Sequence, residues 1–452
     1  MINLIKNELS KLIHRKILYV FGCVIVGLIL LNFLVYFAAT KLSVLNDLTS
    51  TAIETNLDNY NLKNPSEVDM YVSDKTLVDI SKLQKDYKYD DWEYMAIENN
   101  LSDSLKCINY ATINKDDEEL KKCEGERDLL LSKIEDGDWK YFIELNRSED
   151  DEFYNKMLDY RLEKEIPLSY GKMSSLIDEY VGLHAQYEAL KNDKTYKDYN
   201  EQLNVKDVEK RYKEAEYIIE NDVEIPSDYS VNNLLQYEFS SSIFIIIIGI
   251  VIIASSIVAD EFNKGTIKQL LLRPYTRTKI IISKYITCLI ALFILLAFYL
   301  LAATIIYGFL EGWSSLSIPV IVYNFNTGKV MELSIWLYIL YSTIAILPMY
   351  LILLSVAFFV GTLSGSNVVG IAISLVGYIF SSFVGAFANS IKYSIIKIFP
   401  PLCWDLSDYL FGGMSRYKHC TFTSSIIVDI VTLLILYVLT IVVFKKKEIK
   451  NQ

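Results

Sequence analysis

The sequence predicts an all-α polytopic membrane protein. Six transmembrane helices are expected, with both termini cytoplasmic and a mostly helical extracellular domain inserted between the first and second. Three observations predict this. Six apolar runs reach spanning length, the charges divide into one acidic block and a basic remainder, and Lys and Arg gather in three short segments.

The runs lie near 17–39, 239–259, 284–309, 333–360, 367–387 and 423–444. Each holds about 20 or more residues, the length a ~30 Å hydrocarbon layer requires at 1.5 Å rise per residue. They lift the apolar share of the 452 residues to 52%, above the roughly 45–50% of soluble domains. The uncharged turn GTLSGSNVVG (361–370) leaves the boundary between the fourth and fifth spans soft. The first run exceeds the apolar core of a signal peptide and no clear A-x-A-like site precedes the acidic block, so it is expected to be retained as a span.

Residues 41–238 hold 46 acids and 25 bases, a net of −21, while the remainder holds 9 acids and 19 bases, a net of +10. This split excludes nucleic-acid binding by the acidic block and fits a membrane protein with one large polar domain. Orientation follows Lys and Arg in short segments. Residues 1–16 carry Lys6, Lys11, Arg15 and Lys16. Residues 260–284 carry Lys264, Lys268, Arg273, Arg277, Lys279 and Lys284. The tail at 445–452 carries Lys445, Lys446, Lys447 and Lys450. Six spans place all three on the cytoplasmic face, with 40–238 and the loop 388–422 outside. Lys392, Lys397, Arg416 and Lys418 in that loop run against the rule and are outvoted.

Within the acidic domain, 114–145 and 205–220 show apolar residues at helical spacing with i,i+4 charge pairs. Pro167, Pro226 and the turn EDGDW (135–139) punctuate it. Its acids read first as a solvated surface, with ligand gathering or partner binding as the other reading. Cys107 and Cys123 lie in this domain, and Cys403 and Cys420 in the last outer loop, where oxidation permits two disulfides. Against the first bridge, two cysteines 16 residues apart on one straight helix would stand roughly 24 Å apart. No spacing resembles a zinc site, and no metal ligand set is expected.

Catalytic machinery is not expected. The three histidines, His14, His184 and His419, fall in separate segments, and no phosphate-cradling loop, G-x-S-x-G or H-E-x-x-H occurs. Asp429, the clearest acid inside a span, reads as an interfacial group reaching water or a neighbouring serine, and Pro348 as a kink. In the fifth span Gly370, Ser374, Gly377, Ser381 and Gly385 recur three or four residues apart. Such spacing suits close helix contact in lipid, within one subunit or between two.

The segment 260–283 leaves one span and enters the next. Phe262, Ile267, Leu270 and Leu271 recur at helical spacing, with Lys264 and Lys268 between them, interrupted at Gly265 and stopped before Pro274. A charged amphipathic turn of this kind is a positive-inside loop, an interfacial segment or a helix docking into a groove on a soluble protein. The N-terminal MINLIKNELSKLIHRK (1–16) sets Ile2, Ile5, Leu9, Leu12 and Ile13 on one stripe, the geometry of a helix lying flat before the first span.

The run EFNKGTIKQLLLRPYTRTKIIISK resembles the cytoplasmic motif of ABC transporter permeases of the type-two exporter class. The matching positions are Glu261, Gly265, Thr266, Leu270, Leu271, Pro274, Thr276, Arg277 and Lys284, with Tyr275 standing where a small apolar residue is common. Glu8, Leu9 and Lys11 are similar to that class's leading helix, and the long insert resembles its antibiotic-resistance and sodium-extrusion members.

The resemblance implies a separate ATPase subunit, two copies per complex, supplying the ATP and magnesium chemistry. This chain would hold no cofactor and catalyse nothing. It implies that 260–280 is a coupling helix whose Lys and Arg pair with acids of the ATPase while Phe262, Ile267 and Leu271 fill an apolar notch. A second permease, same or related, would pair through the first and fifth spans, and short re-entrant helices would occupy 390–413. The expected function is export of a hydrophobic or amphipathic cargo, such as a peptide antibiotic, across a bacterial plasma membrane. The alternatives are sodium extrusion by the same class and a membrane-anchored sensor whose outer domain binds a ligand without transport.

Overall fold

The computed structural model describes every residue except 15, 41–56, 58–59, 193–197, 227–229, 264, 267–274, 392–393 and 448–452. The chain forms two compact units. An apolar unit comprises Met1–Leu31, Lys194–Glu214 and Pro226–Gln452, and an acidic unit comprises Asn32–Asp193 and Ala215–Ile225. Residues 198–214 and 230–238, expected in the acidic domain, group with the apolar helices.

The apolar unit begins with α1 (Ile2–Ile13), which buries Leu4, Glu8 and Leu12 at helical spacing. Next, α2 (Lys16–Thr40) has a described apolar stretch at Tyr19–Val35. Among the described residues, five further helices are long and apolar enough to cross a membrane. They include α11 (Val231–Asn263), α12 (Arg277–Glu311) and α13 (Ile335–Ser364), followed by α14 (Asn367–Ala388) and α15 (Phe422–Lys446). Two-thirds of the apolar windows of α11 and α13 are buried, against 17% in α14 and 11% in α15. So α11 and α13 form the centre of this unit, and α14 and α15 leave most of their aliphatic surface open.

Helix ends follow local chemistry. Thr276, Ser334, Ser366 and Thr421 each cap the helix that follows, accepting a bond from a first-turn N–H. Gly365 ends α13 at φ +72°, a conformation that suits glycine. Among the described residues the all-α expectation holds with one exception. Before α13 a hairpin pairs β1 (Val320–Asn324) with β2 (Lys329–Leu333), closing through Gly328 at φ +63°. The segment before α15 folds as three short 3₁₀ turns, at Ser394–Ile398, Pro400–Leu402 and Ser407–Gly412.

The acidic unit is helical: α3 (Pro65–Gln84), α4 (Trp92–Asn100), α5 (Ser102–Asn114), α6 (Asp117–Glu135), α7 (Trp139–Leu145), α8 (Glu152–Lys164), α9 (Lys172–Asn192) and the end of α10 (Tyr199–Glu220). One core cluster gathers Ile80, Ala96, Ile97, Leu101, Leu105, Ile134 and Phe142. The expected turn at 135–139 is present, with Gly137 at φ +71°.

Cys107 and Cys123 form a disulfide with their Cα atoms 6.0 Å apart. The straight-helix objection fails because the chain reverses at Lys115, which is left-handed, and restarts under the Asp116 cap. Cys403 and Cys420 are not bridged; both are buried free thiols, and the Cys403 Sγ donates to the Lys397 carbonyl at 3.2 Å.

Candidate functional site

Lys284 was expected to open the third span, but α12 begins at Arg277, so Lys284 lies about two turns inside it. It is fully buried. A buried ammonium persists only with close partners, and three are present. Its Nζ reaches Glu8 Oε2 at 2.7 Å and Glu261 Oε1 at 2.9 Å, and donates to the Ile257 carbonyl at 3.2 Å. Lys11 completes the cluster at 2.9 Å from Glu8 Oε1 and 3.2 Å from Glu261 Oε1. Two acids and two bases thus join α1, the last turn of α11 and the first turns of α12. Glu261 Oε2 is buried without a hydrogen-bond partner among the described residues.

Burial alone would push the Glu8 carboxyl up, but the Lys284 and Lys11 ammonium groups outweigh it and hold it below its ordinary value. Burial likewise opposes the charge on Lys11, yet Glu8 and Glu261 hold its pKa above the ordinary lysine value. The sign follows for each group. The Glu8 contribution is complete above its ordinary value and is lost as pH falls through the lowered folded value. The Lys11 contribution is complete below its ordinary value and is lost as pH rises through the raised one. Attachment of α1 is therefore expected to be flat between about pH 5 and 10 and to weaken in stronger acid. Hydrogen exchange of the α1 amides, corrected for intrinsic rate, reads this directly, and unchanged protection in acid would contradict it.

A second set of ties lies beside the cluster. Arg277 donates to the carbonyls of Lys445 at 2.9 Å and Lys447 at 3.2 Å. Lys447 Nζ bonds the carbonyls of Thr362 at 2.7 Å and Leu363 at 3.0 Å and lies 4.2 Å above the Phe262 ring, which packs edge-on against Phe444. Arg277 is thus engaged within this chain, where the Lys and Arg of 260–280 were expected to pair with a partner's acids. Gly265, at φ +68°, and Thr266 are exposed. Ile267, Leu270, Leu271 and Pro274 lie outside the described residues.

A family described as a protein of unknown function (DUF2705) matches residues 209–450. The chain belongs to that family. The DUF2705 match takes in Glu261, Lys284 and all five long apolar helices, and leaves out α1 with its Glu8 and Lys11. The chain is similar to the uncharacterized protein YhcI of Bacillus subtilis (strain 168), 28% identical over 269 residues that span 58% of this chain and 80% of that protein. No solved structure matches.

The small-residue stripe of α14 packs largely within the chain. Gly370 lets α14 approach Ser255 of α11, whose Oγ donates to the Asn367 carbonyl at 2.8 Å, and Ser374 and Ser381 are buried. Gly385 abuts the Tyr417 hydroxyl, while Gly377 has open space around it.

Asp429 differs from its expected setting. It is 3% exposed, and neither carboxylate oxygen has a hydrogen-bond partner among the described residues. Ser425, one turn earlier, is paired with the Tyr409 hydroxyl at 3.2 Å. Asp429→Asn, which keeps the shape and removes the ionisable oxygen pair, is expected to stabilise the folded chain by about 1–3 kcal/mol. A lower thermal midpoint in this variant would show that the carboxylate is held by a partner.

Sequence reasoning singled out Glu8, Glu261 and Lys284 separately and missed that they meet. The available signal was Lys284 itself, a charge placed against an apolar run, which calls for a counter-charge.

Proposed function

We propose that this chain is the membrane-spanning permease subunit of an ATP-driven ABC exporter, moving a hydrophobic or amphipathic cargo out of a bacterial cell. In this reading α2 and α11–α15 are six spans, α1 lies at the cytoplasmic face of the plasma membrane, and residues 40–238 stand largely outside. A separate ATPase, two copies per complex, engages the turn that follows Glu261, and a second permease completes the pathway. The observation that carries the reading is the buried cluster of Glu8, Lys11, Glu261 and Lys284. It fastens α1, α11 and α12 into one base, so a push on the turn between α11 and α12 is delivered to two apolar helices together, as a rigid-body change requires.

The test reconstitutes the chain with each ABC ATPase of its host and measures ATP hydrolysis. A cognate pair is expected to co-purify and to show stimulated hydrolysis, with stimulation lost in Gly265→Pro, since proline cannot adopt the positive φ of that position. Unchanged stimulation in a folded Gly265→Pro complex sinks the coupling role. A cysteine at position 265 that labels only from outside the cell sinks the topology. Asp429 favours a second reading, sodium extrusion by the same class, because a buried carboxylate suits a cation. Sodium-dependent hydrolysis abolished by Asp429→Asn would select it.

A further inference from the structure

The acidic unit holds a partly open cavity of about 190 Å³ between α4, α7, α8 and α9. Trp92, Trp139 and Tyr154 supply aromatic walls, and Asn100, Asn146 and Asp178 supply polar groups. The orientation of those polar groups is fixed by their own bonds. Asn100 gives its amide N–H to the Ala96 carbonyl at 3.2 Å, and Asn146 gives its own to the Phe142 carbonyl at 2.8 Å. Both side-chain carbonyls are left as acceptors. Asp178 Oδ1 accepts from Arg161 at 2.6 Å. Arg161 is 1% exposed and is not part of the cavity lining; its remaining bonds go to Ser174 and Pro167, so it holds the carboxylate from behind and offsets part of its charge. Asp178 Oδ2 makes no hydrogen bond among the described residues.

The ionised group lining this cavity is therefore a carboxylate, flanked by amide acceptors and by ring faces that carry partial negative charge. An ammonium or guanidinium is the complementary guest: it donates several hydrogen bonds and is attracted to tryptophan and tyrosine faces. The acid surplus of residues 41–238, a net of −21, raises the local concentration of such cations. Size narrows the class further. An apolar cavity of about 150 Å³ holds benzene, and drug-sized sites run to roughly 300 Å³ and above, so this one takes a charged head with a short apolar stem.

We propose that this cavity is a binding site for the guanidinium or primary ammonium head of an organic cation, such as a basic side chain. The site is independent of the transport reading, and its test needs no ATPase, so the two fail separately.

The experiment titrates the full chain, in nanodiscs of uncharged phosphatidylcholine, with butylguanidinium and with its neutral isostere butylurea, by calorimetry. Saturable binding of the cation is expected, with butylurea at least about tenfold weaker and Asp178→Asn weakened by a similar factor. Because Asp178→Asn leaves Arg161 without its carboxylate, Trp139→Leu serves as a second variant away from that pair, expected to weaken binding about fivefold with helicity retained. Equal affinity for butylurea, unchanged binding in both variants, or no binding by the folded wild-type chain would each overturn the proposal.

Discussion

Lys284→Met is expected to give the largest loss of stability of any single substitution in the apolar unit. The Lys284 ammonium is fully buried between two carboxylates that are themselves 4% and 6% exposed. Removing it leaves both acids without their closest cation, and breaking a buried pair in this way costs about 3–5 kcal/mol. Lys11 still bonds both carboxylates, but its side chain is 43% exposed and supports them from the solvent side only. The loss should appear as a lower thermal midpoint in detergent and as faster hydrogen exchange in α1. A double variant, Glu8→Met with Lys284→Met, separates charge balance from packing. It leaves Lys11 and Glu261 as one balanced pair, at 3.2 Å in the parent structure, and should recover most of the loss. A single-variant cost below about 1 kcal/mol would mean that water reaches Lys284 and that the cluster is not closed.

The second large effect is expected at Gly361 and Gly370, and the two should respond differently to rescue. A Cβ at Gly361 would lie 2.7 Å from the backbone oxygen of Ser255, whereas a Cβ at Gly370 would lie 2.2 Å from the Ser255 Oγ and 3.2 Å from the Ala357 carbonyl. Both alanine variants overpack the crossing of α11, α13 and α14, at a cost of about 1–3 kcal/mol each. Ser255→Gly removes the hydroxymethyl group that obstructs Gly370→Ala, so it should restore much of that variant. It cannot restore Gly361→Ala, because backbone remains in the way. Equal rescue of both, read from thermal midpoints of the four variants, would contradict the close approach of α11 and α13.

The apolar helices were legible because lipid imposes a length, and a length can be counted along a chain. Their ends were less so. Arg277 looked like loop, yet it begins α12 because its side chain has carbonyls to reach, and Lys284, expected at the start of the span, lies about two turns inside it with counter-charges around it. The hairpin was missed because VIVYN and KVMEL lie just before a run already read as helix. The turn residues Asn326, Thr327 and Gly328 were the signal for it. The Cys107–Cys123 bridge was underrated for a related reason. Cys107 and Cys123 were weighed as lying on one straight helix, although Asp116 followed by Glu119 is a helix-start pattern, and the Asp116 side chain does accept from the Glu119 N–H. The buried charge cluster was beyond local reading: Glu8 and Lys284 are 276 positions apart, and no pattern within a window of the sequence pairs them. The acidic unit's cavity was equally hidden, since its walls come from four helices that only the tertiary fold brings together.

That separation of 276 positions also sets an order of assembly. Glu8 leaves the ribosome with Lys11 beside it, but long before its buried partner Lys284 has been translated. Until then the leading helix must wait with its carboxylate in water or at the lipid headgroups. Arrival of the third apolar segment ends the wait, so burial of this nascent amino-terminal acid against Lys284 marks the moment when the early and middle parts of the polypeptide become one piece.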